Sequence, residues 1–143
     1  MKPFKWLFHV RFDKLQHYNK SKPYLYRFVL VLFGYSIWVN YWVGEDVGPY
    51  LHNHASDSIN IVLWGCYLNV RPDDYDLVIA PAIWFTKAES YHRIIPFNNP
   101  TITVRLCGQP RLKWGFDVDG KHVRPLEYFH RLRHGKYMQN SNK

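Results

Sequence analysis

The chain has 143 residues, 47% of them hydrophobic and 18% aromatic, and a formal net charge of +8. So apolar a composition excludes a disordered polymer, and the length suits one domain, 1–143, burying about two thirds of its unfolded surface. The charge points to an anionic partner (nucleic acid, nucleotide, phosphorylated metabolite or membrane surface) or to solvated ends, since cations gather in residues 2–22 and 124–143.

In the first twenty residues Phe4, Leu7, Phe8, Phe12 and Leu15 fall at helical spacing between basic residues. That predicts a short amphipathic helix, packed on the body or lying on a membrane surface, and ended by Ser21-Lys22-Pro23. From Tyr24 to Cys107 short apolar runs alternate with turn residues, and strands are expected at 25–33, 36–43, 50–54, 58–69, 76–79, 82–86, 91–95 and 101–107. The breaks are Gly34, residues 44–49, residues 71–74, Ala80-Pro81 and residues 97–100. The apolar stretch 28–43 is shorter than the ~20 residues a membrane helix needs. Gly34, Ser36 and Asn40 interrupt it, so two strands joined near Gly34 are expected instead. No signal peptide is expected, because His9 and Arg11 cut off the run Trp6-Leu7-Phe8. Asp119-Gly120, between two short strand-like segments, predicts a two-residue hairpin. Leu126, Phe129 and Leu132 then predict a second short helix, stopped by Gly135 and followed by a basic tail, 134–143. Many close strands and no repeat predict an all-β domain, either an antiparallel barrel or a double-sheet jelly roll, with a short helix near each terminus. Cys66 and Cys107 give no disulfide framework and no zinc motif; two buried thiols in a reducing, cytoplasmic setting are expected.

Three histidines dominate the chemistry. His52 and His54 lie in Tyr50-Leu51-His52-Asn53-His54, and His92 ends Lys87-Ala88-Glu89-Ser90-Tyr91-His92. On a strand, residues two apart share a face, so His52 and His54 would point the same way, and His92 could join them from a neighbouring strand. Three imidazoles leave coordination positions of a first-row divalent metal open for a small molecule. The plainer alternative is ordinary polar histidines on a rim, since His9, His17, His122, His130 and His134 show the residue to be common here.

Residues 50–95 resemble the two motifs of the cupin superfamily, small jelly-roll barrels that hold a metal inside near one mouth. The first motif is matched by His52-Asn53-His54 and the glycine at Gly65, the second by Pro81 through His92. Ser58 stands at the usual glutamate-ligand position with Asp57 one residue earlier, and Lys87-Ala88-Glu89 replaces a Pro-x-Gly turn. That departure resembles the three-histidine, dioxygenase-like cupins, in which iron has no carboxylate ligand. Closer still is a group of small bacterial and phage cupin-like proteins pairing Leu-His-x-His with Lys-Ala-Glu-x-x-His and a later Trp-Gly-Phe, here Trp114-Gly115-Phe116. This match covers about residues 24–129. The resemblance implies a cupin-type antiparallel β-barrel, a divalent metal with Fe2+ first among candidates, and homodimers formed through edge strands.

Metal-bound imidazoles pass their second N–H to an acceptor, and Asp57, Glu89 and Asn40 are candidates. In 35–43, Ser36, Trp38, Asn40 and Trp42 alternate with Tyr35, Ile37, Val39, Tyr41 and Val43. If the mixed face lines the barrel, Trp38 and Asn40 approach the metal. Arg105 shares a face with Thr101 and Thr103; turned inward it would hold a carboxylate or phosphate, turned outward it is a surface cation. Lys87 and Arg93 would add positive potential at the mouth, and Tyr91 would point away from His92. With no hydrolase elbow, phosphate loop or RNA-stacking signature, nucleic acid is not an expected partner. Three readings stay open: an enzyme acting on a small anionic molecule, such as an iron-dependent dioxygenase; a non-catalytic module holding a nucleotide-like or sugar-phosphate ligand; and a metal-free interaction protein.

Overall fold

A computed structural model describes residues 7–16, 23–46, 48–97 and 100–134. Strands β1 (Phe8–Gln16), β2 (Pro23–Leu32), β3 (Tyr35–Trp42), β4 (Ser58–Trp64), β5 (Cys66–Val70), β6 (Tyr75–Ile79), β7 (Ala82–Thr86), β8 (Arg93–Pro96), β9 (Thr101–Cys107), β10 (Phe116–Val118) and β11 (Lys121–Val123) precede helix α1 (Pro125–Arg133). They form a six-stranded sheet, ordered β1-β2-β3-β9-β4-β7, a three-stranded sheet, β6-β5-β8, and the hairpin β10-β11. Every pairing is antiparallel.

Most of the expected strands form near their expected places. Two-residue turns close the hairpins: Phe33-Gly34 and Asp119-Gly120 both have positive φ at each position, which matches the twist of the flanking strands. The expected strand 58–69 is instead two strands in different sheets, divided at Gly65. Gly65 has φ +83°, and a Cβ there would lie 2.6 Å from Thr101 Oγ1. Only glycine suits this crossing.

Other expectations differ from the structure. Residues 8–16 form a strand paired with β2, not a helix, because Phe8, Val10 and Phe12 also satisfy a period of two and non-local pairing decides between the periods. Residues 1–6 and 17–22 lie outside the described residues, as do Gly135 and the tail beyond it. Residues 50–54 form no strand; His52 alone makes isolated bridges to His92 and Phe116. Among the described residues no ladder joins the two larger sheets, so hydrogen bonding does not close a barrel. The C-terminal helix forms where expected, with Pro125 in its first turn, yet Leu126 is 87% exposed. Tyr128 and Leu132, four residues apart, are its buried positions.

The main apolar cluster sits at one end, where Tyr24, Leu25 and Trp42 meet Phe116, Val123, Tyr128 and Leu132. Phe116 stacks on Tyr128 with ring centroids 3.7 Å apart. Among the described residues no helix is long and apolar enough to cross a membrane. Cys66 and Cys107 are both thiols.

Candidate metal centre

Backbone pairing brings the histidines together. His52 and His92 exchange both backbone hydrogen bonds at 2.9 Å, and directly opposed residues of an antiparallel pair project to the same side. His54, two residues along, donates its N–H to the carbonyl of Ala88 and returns to that side. The three ring centroids form a nearly equilateral triangle with sides of 4.9, 5.0 and 4.9 Å. One nitrogen from each ring lies within 4.8 Å of the others, a set that could hold a metal ion.

Asn53, between the two histidines, fixes their segment. Its Oδ1 accepts from Gly115 N–H at 2.8 Å, its Nδ2 donates to Lys113 O at 3.2 Å, and its own N–H donates to Gly115 O at 3.0 Å. A Cβ on Gly115 would meet Val123 O at 2.5 Å and the His122 ring at 2.6 Å. The Trp114-Gly115-Phe116 stretch is therefore a strap: its glycine lets the chain pass close against Val123 and His122 while bonding to Asn53, and its Phe116 ring lies 5.9 Å from His52.

Burial, before any other influence, pushes His52 and His92 down to about 3, and holds His54 well below the ordinary histidine value. The nearby Arg105 guanidinium adds to the shift. All three rings are neutral near pH 7, the form that binds metals. His92 Nδ1 lies 2.7 Å from Asn69 Oδ1, which assigns the ring proton to Nδ1 and turns the Nε2 lone pair toward His54. His54 Nε2 is 2.7 Å from His92 Nε2. Arg105 Nη1 stands over the edge of the His54 ring, 2.6 Å from its Nδ1 and 3.1 Å from its Nε2. Asp46 Oδ2 accepts from Ile94 N–H at 2.8 Å and lies 3.9 Å from His52 Nδ1; burial pushes its carboxyl up.

Trp38, Asn40 and Arg105 line the same cavity as the histidines, together with Arg27, Tyr67 and Trp84; its volume is about 50 Å³. The polar and aromatic face of β3 thus points inward. Arg105 is 7% exposed and donates through Nε to Ser58 Oγ at 2.9 Å. Arg27 donates to Asn40 Oδ1, and Asn40 donates to Thr103 Oγ1. Both guanidinium carbons stand over the Trp38 ring, at 4.4 Å for Arg27 and 5.7 Å for Arg105. Among the described residues neither arginine makes an ion pair with a carboxylate.

Asp57 and Glu89 are not beside the histidines. Arg111 reaches back across the loops and takes both, through 2.6 Å to Asp57 Oδ1 and 2.5 Å to Glu89 Oε1, while Asp57 Oδ1 also accepts from Ala88 N–H. The acceptor for a histidine N–H is Asn69. Arg93 pairs with Glu45, and Tyr91 bonds to His122 on the outside. Asn69, Arg27 and Asp46 went unnoticed in the sequence. For Asn69 a signal existed: it lies two residues from Tyr67, on the buried face of β5.

Sequence comparison finds neither a matching family model nor a matching curated protein. Solved structures do resemble the chain. The Fe(II) form of HppE aligns at a TM-score of 0.59 and 13% identity, over 76% of this chain and 59% of that one. KdgF from Halomonas sp. aligns at 0.54 and 13%, over 71% and 87%. A protein of unknown function from Vibrio parahaemolyticus aligns at 0.51 and 10%, over 68% and 97%. HppE and KdgF have the cupin fold. This chain has the cupin fold too. It spans 59% and 56% of the two HppE chains first matched, and such identities speak to the fold alone. Ser58 is buried, and its Oγ accepts from Arg105 Nε.

Proposed function

We propose that the protein is a metal-binding cupin that holds a small anionic molecule beside the ion. His52, His54 and His92 would hold a first-row divalent metal, Fe2+ first among candidates, because neutral imidazoles suit it. The bound ion would supply Lewis acidity and, as iron, reactivity toward dioxygen. Arg105 and Arg27 carry the anionic part of the reading: Asp46 lines the same cavity but is held by Ile94 N–H, and two largely buried cations that share one carboxylate at a distance, with no ion pair among the described residues, are costly unless an anion joins them. Trp38 would fix the planes of both guanidiniums, and Asn40 would hold Arg27. The single observation that carries the proposal is the triangle of neutral imidazoles opening onto the cavity that contains Arg105.

The catalytic form of this reading is an iron-dependent oxygenase acting on a small carboxylate or phosphonate. Its alternative is a binding module without turnover, favoured by one observation. The acidic group lining the cavity, Asp46, is already engaged by Ile94 N–H and is not placed to move a substrate proton. Elemental analysis of protein purified without chelating resin, followed by anaerobic Fe2+ and Co2+ titration, tests the metal. One equivalent is expected per wild-type chain, and none in His52→Ala or His92→Ala variants that keep the wild-type circular dichroism. A wild-type chain that takes up no metal would overturn the proposal. Oxygen uptake by the iron-loaded protein with a panel of small acids then separates enzyme from binding module.

A further inference from the structure

Arg105 touches the histidine triangle directly. Its Nη1 lies 2.6 Å from His54 Nδ1 and 3.1 Å from His54 Nε2, so whichever nitrogen of that ring meets an ion, a guanidinium stands beside it. The arginine is also anchored. It is 7% exposed, its Nε donates to Ser58 Oγ at 2.9 Å, and it stands over the Trp38 ring that Arg27 shares. Arg27 is held in turn by its bond to Asn40 Oδ1 at 3.0 Å. Asp46, the acidic residue lining the cavity, commits its Oδ2 to Ile94 N–H at 2.8 Å. A divalent ion on the triangle would add two positive charges to a pocket that already holds two. Like charges at such distances repel strongly inside a protein, and salt screens them little.

We propose that the metal and a compact oxyanion occupy this cavity as a coupled pair, each raising the affinity of the other, with Arg105 as the residue that couples them. The inference rests on the three-histidine metal reading and adds a rule of occupancy to it. In the absence of an anion, Arg105 opposes a cation at His54. An oxyanion beside the triangle accepts hydrogen bonds from the guanidinium and offsets its charge, so the same pocket comes to favour a dication. The anion gains a second cationic neighbour, and linkage makes the two gains equal. Size restricts the anion: about 50 Å³ holds about four water-sized positions, enough for a group the size of phosphate or sulfate. A larger phosphate ester would have to leave its remainder outside.

Calorimetric titration of Co2+ into the full chain, stripped of metal by chelator and kept in chloride buffer, reads the coupling when repeated with inorganic phosphate and corrected for Co2+ held by phosphate in the buffer. Phosphate should raise Co2+ affinity about tenfold or more, and Co2+ should raise phosphate affinity by the same factor. Arg105→Leu separates charge from architecture. In chloride alone this variant should bind Co2+ about threefold or more tightly than the wild type, because the opposing charge is gone, and phosphate should change that value less than about twofold. An arginine that served only to hold the wall together would give the opposite sign, a weakened site. Arg105→Gln takes its place should the leucine variant fail to fold. Co2+ binding that is equal with and without phosphate leaves the metal site standing and overturns the coupling. A folded Arg105 variant that binds Co2+ more weakly than the wild type, or keeps the full response to phosphate, overturns it as well. A wild type that takes up no Co2+ in either buffer overturns the metal site and the coupling together.

Discussion

Replacing Asn53 by alanine should damage the fold more than any exposed polar substitution, for a reason that can be counted. Asn53 is 4% exposed, and its side chain makes two hydrogen bonds to the strap at Lys113 and Gly115. Truncation leaves the Gly115 N–H buried without an acceptor, at a cost of about 1–3 kcal/mol, and removes a second, partly buried bond of about 0.5–1.5 kcal/mol. The backbone bond from Asn53 N–H to Gly115 O survives, so the strap loosens rather than leaves. Together the losses come to about 1.5–4.5 kcal/mol, a fall in Tm of about 6–18 °C at roughly 4 °C per kcal/mol for a domain of this size. Urea and thermal unfolding of the chelated protein, followed by circular dichroism, measure it without a contribution from metal. Asn53→Asp should do no better, because a carboxylate sets oxygen against the Lys113 carbonyl and buries a charge. A loss below about 0.5 kcal/mol for Asn53→Ala, the ordinary range of surface substitutions, would refute the strap as a structural element.

Gly115→Ala should cost about 1–3 kcal/mol by forcing a methyl against the Val123 carbonyl, read as a lower urea midpoint at unchanged slope. Arg105→Leu should retain Co2+ yet bind inorganic phosphate at least tenfold more weakly by calorimetry, as expected when a charge-assisted bond of about 1.5–3 kcal/mol is lost. Co2+ at a hundred times its dissociation constant should stabilise the wild type by about 2.7 kcal/mol and His92→Ala not at all, measured by thermal shift. Arg111 holds Asp57 and Glu89 below the usual carboxylate range, so carboxyl NMR titration should find both moving up in Arg111→Ala. With depressed folded values, this contribution is present above the ordinary carboxylate range and fades as pH falls through the folded values, so wild-type and variant unfolding midpoints should converge in acid.

The histidine cluster was legible because two short-range rules sufficed: side chains two apart share a face, and opposed residues on paired strands project together. The strand assignment of 50–54 was unnecessary, since a single bridge at His52 does the same positioning. The alternation in β3 likewise foretold that Trp38 and Asn40 face one way, though only the fold could say that this way was inward. Asp57 and Glu89 misled because closeness along the chain says nothing about which side of a loop faces out. Their partner Arg111 comes from beyond β9, more than fifty residues from Asp57. The first strand was misread because Phe8 and Phe12 satisfy a period of two and a spacing of four equally well. The tie is broken by partners in residues 25–32, outside any local window.

Phe116 touches His52 on one side and lies flat on Tyr128 of α1 on the other. Shortening the protein before Pro125 would therefore do more than trim a surface helix. The ring beneath His52 would lose its backing, and Tyr24, Leu25 and Trp42 would lose Tyr128 and Leu132 from the same apolar cluster, so the deletion should loosen the histidine segment and this end of the large sheet together.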